Sequence, residues 1–230
     1  MTGLTVVIPI RGLWGSKTRL APMFDERHRA RLVAGMAFHV LRVTHDSGLA
    51  GQIVVVTRDD HLLETLDEEL PDVHGILQGP GSVGMNAGID TGRQVAVRSG
   101  SDRLLVLPAD LPELDAADLA AMLASGADVV IGPDLGLHGT NALLLNGRET
   151  VSAFPFHFGL GSRLEHERAA VDLGLQVEDV VRPGLALDLD TPDDWAKLKR
   201  ETRARLLSHD VPGTAWLLPG HGSRPVLEHV

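Results

Sequence analysis

Short apolar runs alternate along most of the chain with stretches in which apolar residues recur at helical spacing. Residues 4–10 form a continuous, β-branched run of the kind found in strands that are covered on both faces of a sheet. Residues 52–57 and 104–107 are similar runs. The pattern predicts strands at residues 4–10, 52–57, 73–77, 104–107, 128–132, 141–145 and 176–180.

The segments between these runs predict helices. In residues 26–44 the side chains of Leu32, Met36 and Val40 fall on one helical face. Further helices are predicted at residues 59–70, 86–98, 115–123, 162–173 and 192–206. Strands that alternate with helices predict an α/β fold, a doubly wound and largely parallel sheet with helices on both faces. We expect one domain over residues 1–206, with residues 207–230 as a C-terminal tail or arm.

Composition argues against several classes of protein. The 230 residues include no cysteine, which rules out disulfides and thiolate metal sites. A net charge of -10 and an aromatic content of 3% argue against a nucleic-acid-binding surface. No apolar run approaches the roughly 18 residues of a membrane span, and no charged-then-apolar leader opens the chain. We therefore expect a cytoplasmic protein with neither nucleic acid nor membrane among its partners.

One acidic residue follows the most apolar of the central predicted strands. The run at residues 104–107 ends at Pro108, which cannot donate a hydrogen bond to a sheet. Asp110 is therefore predicted to lie just past the carboxyl end of a strand, where open α/β sheets bind ligands. A carboxylate there suits a hard cation such as Mg²⁺. A turn aspartate between two prolines is the alternative.

A second acidic segment holds Asp188 and Asp190, which are separated by one leucine. In an extended chain both carboxylates point the same way, while the alternating leucines point towards a core. Because like charges at this distance repel each other, a bound cation is a natural reason for the arrangement. Asp190 as the N-cap of the next helix is the alternative, which leaves Asp188 unexplained. With Asp110, three acids at two strand ends suit one or two Mg²⁺ ions that bridge phosphates.

A basic loop follows the first predicted strand and carries Arg11, Lys17 and Arg19. Its glycines, Gly12 and Gly15, have the spacing of neither a Walker motif nor a dinucleotide-binding fingerprint. Such a loop can nonetheless enclose a triphosphate with its main-chain N–H groups and its cations. A solvated basic loop is the alternative.

Residues 159–162, Gly-Leu-Gly-Ser, open a predicted helix. Ser162 and Glu165 have the spacing of a capping box, which is a purely structural role. A helix start is also an anion site, and glycines allow a phosphate or a carboxylate to approach closely. Both roles can hold together.

The histidines show no pattern typical of a metal site. The chain has 11 of them, and His138, His157 and His166 lie near the candidate segments. Because their spacing marks no ligand cluster, we expect each to serve in packing or at the surface.

Six segments, taken together and in this order, resemble the guanylyltransferases of coenzyme F-420 (deazaflavin) biosynthesis. This family includes the 2-phospho-L-lactate and phosphoenolpyruvate guanylyltransferases. Each segment alone is a weak signal, but the six together span about residues 4–205 and are specific. They are VIP (7–9) with SKTRL (16–20), NAG (86–88), LPADLP (107–112), GTNALL (139–144), FGLGS (158–162) and LDLDTP (187–192).

The resemblance implies a nucleotidyltransferase fold of the nucleotide-diphospho-sugar transferase type, with GTP as substrate and two Mg²⁺ ions as cofactor. A phosphate oxygen of the acceptor would attack the α-phosphorus of GTP, and pyrophosphate would leave. The resemblance implies that the metal ligands are Asp110, Asp188 and Asp190. These three acids and Lys17 are the implied catalytic residues. The residues implied to bind the carboxylate and phosphate end of the acceptor are Thr140, Gly159 and Ser162. The residues implied to bind the nucleotide are Arg11, Gly12, Lys17, Arg19, Gly81 and Asn86.

The acceptor is expected to be a small phosphorylated three-carbon acid. The bacterial branch of the family is associated with phosphoenolpyruvate, and the alanine- and arginine-rich composition is typical of bacteria. We therefore expect phosphoenolpyruvate as acceptor and enolpyruvyl-diphospho-5'-guanosine as product, with 2-phospho-L-lactate and 3-phospho-D-glycerate as alternatives. A metal-dependent glycosyltransferase and a noncatalytic nucleotide-binding module are more distant alternatives. A homo-oligomer and a hand-off of the product to the next enzyme of the pathway stay open.

Overall fold

The computed structural model describes residues 3–79, 81 and 84–208, which fold around a seven-stranded sheet. Its strands are β1 (Leu4–Ile10), β2 (Gln52–Thr57), β3 (His74–Leu77), β4 (Arg103–Val106), β5 (Val129–Pro133), β6 (Thr140–Asn146) and β7 (Val177–Asp179). They lie in the order β3-β2-β1-β4-β6-β5-β7. All seven predicted strands are thus confirmed, each within one residue at either end.

Within the described residues, nine α-helices connect or flank the strands. They are α1 (Glu26–Asp46), α2 (Asp60–Glu69), α3 (Met85–Arg98), α4 (Ala116–Ala124), α5 (Arg148–Ala153), α6 (Ser162–Asp172), α7 (Pro183–Ala186), α8 (Pro192–Lys197) and α9 (Arg200–Leu207). A 3₁₀ turn at Thr18–Leu20 follows the basic loop. Among the described helices, none combines the length and the apolar character that a membrane crossing needs.

The predicted helices are present, but the prediction of one continuous helix at residues 192–206 is wrong. It is interrupted between α8 and α9, because Leu198 has an extended backbone with ψ 146°. Thr191, rather than Asp190, caps α8, and its side chain accepts a hydrogen bond from the backbone N–H of Asp194. The short helices α5 and α7 have no counterpart in the prediction. The predicted tail lies outside the described residues beyond its first two positions.

The sheet is parallel apart from β6, which is antiparallel to both of its neighbours, β4 and β5. Only residues 134–139 connect β5 to β6, a link too short for a crossover between parallel strands. As a result β6 begins at the same edge of the sheet at which the parallel strands end. That edge carries the residues described below.

Two apolar layers cover the sheet, which explains the near-continuous hydrophobic runs of its strands. On one face, Leu4, Val6 and Ile8 of β1 pack with buried residues of α1, α2 and α4. On the other face, Val7 packs with buried residues of α3, α5 and α6. A third cluster joins the outer side of α1 to the basic loop, to α8 and to α9. Helices on both faces of a largely parallel sheet confirm the predicted fold class.

Candidate active site

Asp110 lies where the sequence predicts it, beyond the carboxyl end of β4. The backbone N–H of Leu107 still donates to the Val7 carbonyl (3.0 Å), so the chain stays beside β1 until Pro108. Pro108 has no N–H to continue this ladder. The chain therefore leaves the sheet here, and the Asp110 side chain is directed to the open edge of the sheet.

Asp188 and Asp190 reach the same edge by a route that the sequence does not predict. They follow the short helix α7 rather than the end of a strand, so the expectation of a second strand end is wrong. The inward leucines are confirmed, since Leu185 and Leu189 are fully buried. The N–H of Leu189, between the two acids, donates to the Asp110 carbonyl (3.1 Å). This backbone bond joins the two acidic segments.

The three acids form a compact group with Lys17, and we call these four residues the lysine–acid cluster. One carboxylate oxygen from each of Asp110, Asp188 and Asp190 lies within 4.8 Å of the others. The Lys17 Nζ lies 2.6 Å from Asp110 Oδ2 and also donates to Asp190 Oδ1. Asp188 instead accepts from Asn141 Nδ2 (3.2 Å), which also donates to the Leu185 carbonyl (2.8 Å).

The charges in the cluster are unequal. Burial acts to lower the pKa of Lys17, but the Asp110 and Asp190 carboxylates outweigh it and raise that pKa above its usual value, so Lys17 is an ammonium ion. The pKa of Asp188 is raised, first by burial and then by the negative charge of Asp110, while the hydrogen bond from Asn141 opposes the change. Three carboxyl groups thus face one lysine, and the negative charge in excess favours a further cation.

Lys17 is held in this position by an uncommon backbone conformation. Its φ of 52° and ψ of 43° are left-handed, which is unfavourable for a residue with a side chain. Around it, the Ser16 hydroxyl donates to the Gly12 carbonyl (2.9 Å), and the Leu13 N–H donates to Asp59 Oδ2 (3.2 Å). Leu20, which is fully buried, anchors the C-terminal end of the loop. The loop is therefore built to present the lysine to the acids.

A cavity of about 480 Å³ opens beside the cluster, within the roughly 300–1,000 Å³ typical of small-molecule sites. Of the residues predicted for the nucleotide and the metal, five line it: Arg11, Gly12, Lys17, Asp110 and Asp190. Its apolar walls come from β1, α1 and the start of α3 through Ile10, Val33, Met36 and Met85. The cavity thus joins cations, acids and apolar wall in one space.

Three of the predicted nucleotide residues do not line this cavity. Arg19 and Gly81 are exposed at the surface. Asn86 is engaged elsewhere, because its amide donates to the Phe158 carbonyl (3.1 Å) and accepts from the Phe158 N–H (2.8 Å). Asn86 therefore ties the start of α3 to the loop before α6.

Thr140 and Ser162, predicted to contact the acceptor, are joined by a direct hydrogen bond. The Thr140 N–H donates to Ser162 Oγ (2.9 Å), and both residues are buried. Gly159 and Gly161 shape the turn before α6 with φ values of 144° and 70°. We call Thr140, Gly159 and Ser162 the hydroxyl cradle. The start of β6 connects it to the lysine–acid cluster, because Asn141, the residue after Thr140, contacts Asp188.

The predicted capping box at Ser162 is wrong. Gly161 is the N-cap of α6, and no side chain caps the helix there. The hydroxyl that would have capped it accepts instead from Thr140, 22 residues away in the chain. A tertiary hydrogen bond has replaced the local one.

His166 has a polar contact that the sequence did not reveal. It is fully buried on α6, and its Nδ1 lies 3.0 Å from the Thr140 hydroxyl. The signal available in the sequence was its position four residues after Ser162, one turn along the same helix. The expectation of a packing role for His166 omits this contact.

Comparison with known proteins identifies a family and named relatives that this chain resembles. The profile of a family described as "Guanylyl transferase CofC like" matches residues 4–200. A relative from Rubrobacter xylanophilus, named phosphoenolpyruvate guanylyltransferase, is 39% identical over 84% of this chain and 92% of its own. Another from Colwellia psychrerythraea, named 3-phospho-D-glycerate guanylyltransferase, is 28% identical over 82% of this chain and 88% of its own.

Solved structures agree on the fold. A protein from Desulfovibrio desulfuricans G20, provisionally described as a nucleotide-diphospho-sugar transferase, is similar with a TM-score of 0.72. It is 17% identical, and the match covers 90% of this chain and 94% of that one. A nucleotidyl transferase from Methanothermobacter thermautotroptrophicus has a TM-score of 0.63 and 19% identity, with 88% of this chain and 98% of that one covered. At these identities the likeness concerns the fold alone.

Proposed function

The chain belongs to the CofC-like guanylyl transferase family, and we propose that it transfers GMP from GTP to phosphoenolpyruvate. The products are enolpyruvyl-diphospho-5'-guanosine and pyrophosphate, and the reaction serves coenzyme F-420 biosynthesis. The observation that carries the proposal is the lysine–acid cluster beside a cavity of about 480 Å³ at the carboxyl edge of the sheet. Cations and carboxylates on one wall suit a magnesium-bound triphosphate.

The proposed reaction needs positioning more than acid–base chemistry. A phosphate oxygen of the acceptor attacks the α-phosphorus of GTP, a new P–O bond forms, and the bond from the α-phosphorus to the bridging oxygen of pyrophosphate breaks. Because the attacking oxygen is already anionic, no side chain has to remove a proton. Lys17, held as an ammonium ion, supplies positive charge to the phosphates, and the main-chain N–H groups of the loop around Gly12 hold them.

The donor set of Asp110, Asp188 and Asp190 fits Mg²⁺. All three offer the hard oxygen ligands that this ion prefers, and their combined charge exceeds that of Lys17. We propose that these residues hold two ions when GTP is bound. Bound there, Mg²⁺ would neutralise the phosphate charge and polarise the α-phosphoryl group. The chain's own part is to keep the three carboxylates together, through the Leu189 to Asp110 backbone bond and the amide of Asn141.

The hydroxyl cradle is proposed to bind the acceptor. Its two hydroxyls and the glycine turn at the N-terminus of α6 suit a small anion with a carboxylate and a phosphate. Phosphoenolpyruvate is the acceptor in the name of the relative with 39% identity. The relative with 28% identity is named for 3-phospho-D-glycerate, which makes this acid the second candidate acceptor.

Pyrophosphate release tests the proposal. GTP, Mg²⁺ and the protein are combined with phosphoenolpyruvate, 2-phospho-L-lactate or 3-phospho-D-glycerate, and kcat/KM is measured for each acid. We expect release only when both Mg²⁺ and an acid are present, with the highest kcat/KM for phosphoenolpyruvate. A clear preference for another of the three acids contradicts the choice of acceptor. Turnover of a nucleotide sugar in place of GTP points to a glycosyltransferase.

A further inference from the structure

A buried histidine lies directly behind the hydroxyl cradle. The imidazole of His166 bridges two segments, since Nδ1 lies 3.0 Å from Thr140 Oγ1 and Nε2 lies 2.9 Å from the backbone nitrogen of His157. Thr140 begins β6, and His157 belongs to the loop that leads to Gly159. One ring therefore fixes the spacing between the two sides of the cradle.

The hydrogen bonds identify where the ring carries its proton. A backbone N–H can only donate, so the Nε2 that faces His157 accepts and carries no hydrogen. Burial, and then the neighbouring charge of His157, lower the pKa of His166 to about 3, so the ring is neutral at physiological pH. A neutral imidazole has one N–H, which must then be at Nδ1. That N–H donates to the Thr140 hydroxyl.

This direction of donation decides what the Thr140 hydroxyl can do. Its oxygen accepts from His166, so its own hydrogen is available to another acceptor. The same holds at Ser162, whose oxygen accepts from the Thr140 N–H. In the part of the chain that the structure describes, neither hydroxyl hydrogen has a recorded acceptor. Two O–H donors, one at the start of β6 and one at the start of α6, thus remain for an anion.

The ring is also fixed laterally, by the aromatic side chains around it. Phe158 packs edge-on against it with ring centres 5.0 Å apart, and Phe154 lies 6.1 Å away. Rotation of the imidazole away from Thr140 would disturb these ring contacts. Packing therefore reinforces the orientation that the hydrogen bonds require.

We propose that His166 is a positioning residue for the acceptor: its Nδ1–H orients the Thr140 hydroxyl to donate to an acceptor oxygen, while its Nε2 anchors the glycine turn through His157. The proposal rests on the proposed function in one respect, the binding of a phosphorylated acid at the cradle. It extends that function by naming a residue that acts through Thr140 rather than by touching the acceptor.

The decisive experiment is a double-mutant cycle between His166→Phe and Thr140→Val, with the KM of each substrate as the readout. His166→Phe keeps a ring but removes both hydrogen bonds. We expect it to raise the KM for phosphoenolpyruvate roughly 10-fold or more and to leave the KM for GTP within about 2-fold. In a Thr140→Val background the same change should have a smaller effect, because the hydroxyl that it orients is gone and only the bond to His157 is still lost. Equal effects in both backgrounds overturn the proposal.

Two controls separate positioning from general damage. His39→Phe removes a partly buried histidine of α1, whose Nε2 lies 2.9 Å from the Leu114 carbonyl, on the face of the sheet opposite to α6. We expect it to lower Tm without changing either KM. His166→Asn keeps an N–H donor near the Nδ1 position and should recover part of the acceptor affinity that His166→Phe loses. Failure of His166→Asn to recover any affinity, or a raised acceptor KM in His39→Phe, contradicts the proposal.

Nitrogen-15 NMR of the imidazole ring tests the hydrogen-bond chain without any turnover. We expect a neutral His166 with its proton on Nδ1 from about pH 5 to about pH 8, the range in which an ordinary histidine titrates. A proton on Nε2 overturns the proposal even if the enzyme is active. Conversely, absence of turnover with all three acids refutes the proposed function, while the NMR result still reports on His166.

Discussion

The two halves of the site are organised by opposite kinds of interaction. The lysine–acid cluster is held by charge, with one ammonium group against three partly exposed carboxyl groups beside an open cavity. The hydroxyl cradle is held by neutral hydrogen bonds between buried groups. The first can change its affinity with metal and ionic conditions, whereas the second is fixed by geometry. Substitutions in the two halves should therefore differ in kind as well as in size.

The largest effect is expected from the acids. Asp188→Asn removes a carboxylate from the cluster but keeps the shape of the side chain, so we expect kcat to fall by about 10³-fold while the fold is retained. Pyrophosphate release and thermal unfolding measure the two properties. Asp193→Asn, the same change at a nearby exposed position, should leave kcat unchanged. Wild-type turnover by Asp188→Asn would contradict the role that is assigned to the carboxylates of the lysine–acid cluster.

Lys17→Met is expected to have the next largest effect. Without the ammonium group, the acids repel one another and the phosphates lose a cation, so kcat/KM for GTP should fall by about 10²-fold. Added Mg²⁺ should restore part of the loss, because a metal ion can replace some of the missing charge. Lys197→Met, at an exposed lysine on α8, is the matched control. If only the KM of the acceptor changed, Lys17 would belong to the acceptor half of the site, and its assignment to the phosphates of GTP would be wrong.

Asn141 tests the connection between the halves, because it follows Thr140 and its amide contacts Asp188. Asn141→Ala should lower activity by about 10- to 100-fold, as is typical for residues that orient metal ligands, and should raise the Mg²⁺ concentration needed for half-maximal rate. The same strand offers a matched control in Asn146, whose amide donates to the Ala127 carbonyl at the other end of β6. Asn146→Ala should affect stability but not the response to Mg²⁺. Identical Mg²⁺ profiles for the two variants would contradict this role.

The smallest effect concerns acid stability and sharpens the description of the cradle. The pKa of His166 is lowered from 6.5 to about 3, so between these values the unfolded chain binds a proton that the folded protein does not. As far as His166 is concerned, the free energy of unfolding therefore has its full value above about pH 6.5. It decreases as the pH falls, by about 2 kcal/mol at pH 5.

Urea unfolding of wild type and His166→Phe at several pH values measures this contribution. The variant has no imidazole at this position, so its free energy of unfolding should fall less steeply between about pH 6.5 and pH 5. Parallel pH profiles for the two proteins would show that His166 is not held neutral by the fold.

The parts of the molecule that follow from local pattern were predictable. Buried runs predicted every strand, and Pro108 placed Asp110 at the edge of the sheet. The direction of β6 could also have been anticipated, since a link of residues 134–139 cannot return the chain for a parallel strand. Short connections therefore constrain topology even when the strand pattern itself does not.

The parts that depend on distant contacts were not predictable. The spacing of Ser162 and Glu165 satisfies a capping box, but the hydroxyl of Ser162 is taken by Thr140 from another strand. His166 resembles any other helical histidine until Thr140 and His157 are placed around it. Asn86 likewise has a partner, Phe158, that becomes visible only in the folded chain. In each case a tertiary hydrogen bond decides the role, and no local spacing records it.

The backbone bond from Leu189 to Asp110 has a consequence for the order in which the protein becomes active during synthesis. Asp110 emerges from the ribosome together with the strands of the first half of the sheet, long before Asp188 and Asp190. A nascent chain that ends at α6 contains six of the seven described strands but, of the three acids in the cluster, only Asp110. The proposed transfer reaction therefore requires that the last acidic segment has been translated and has docked beside β4.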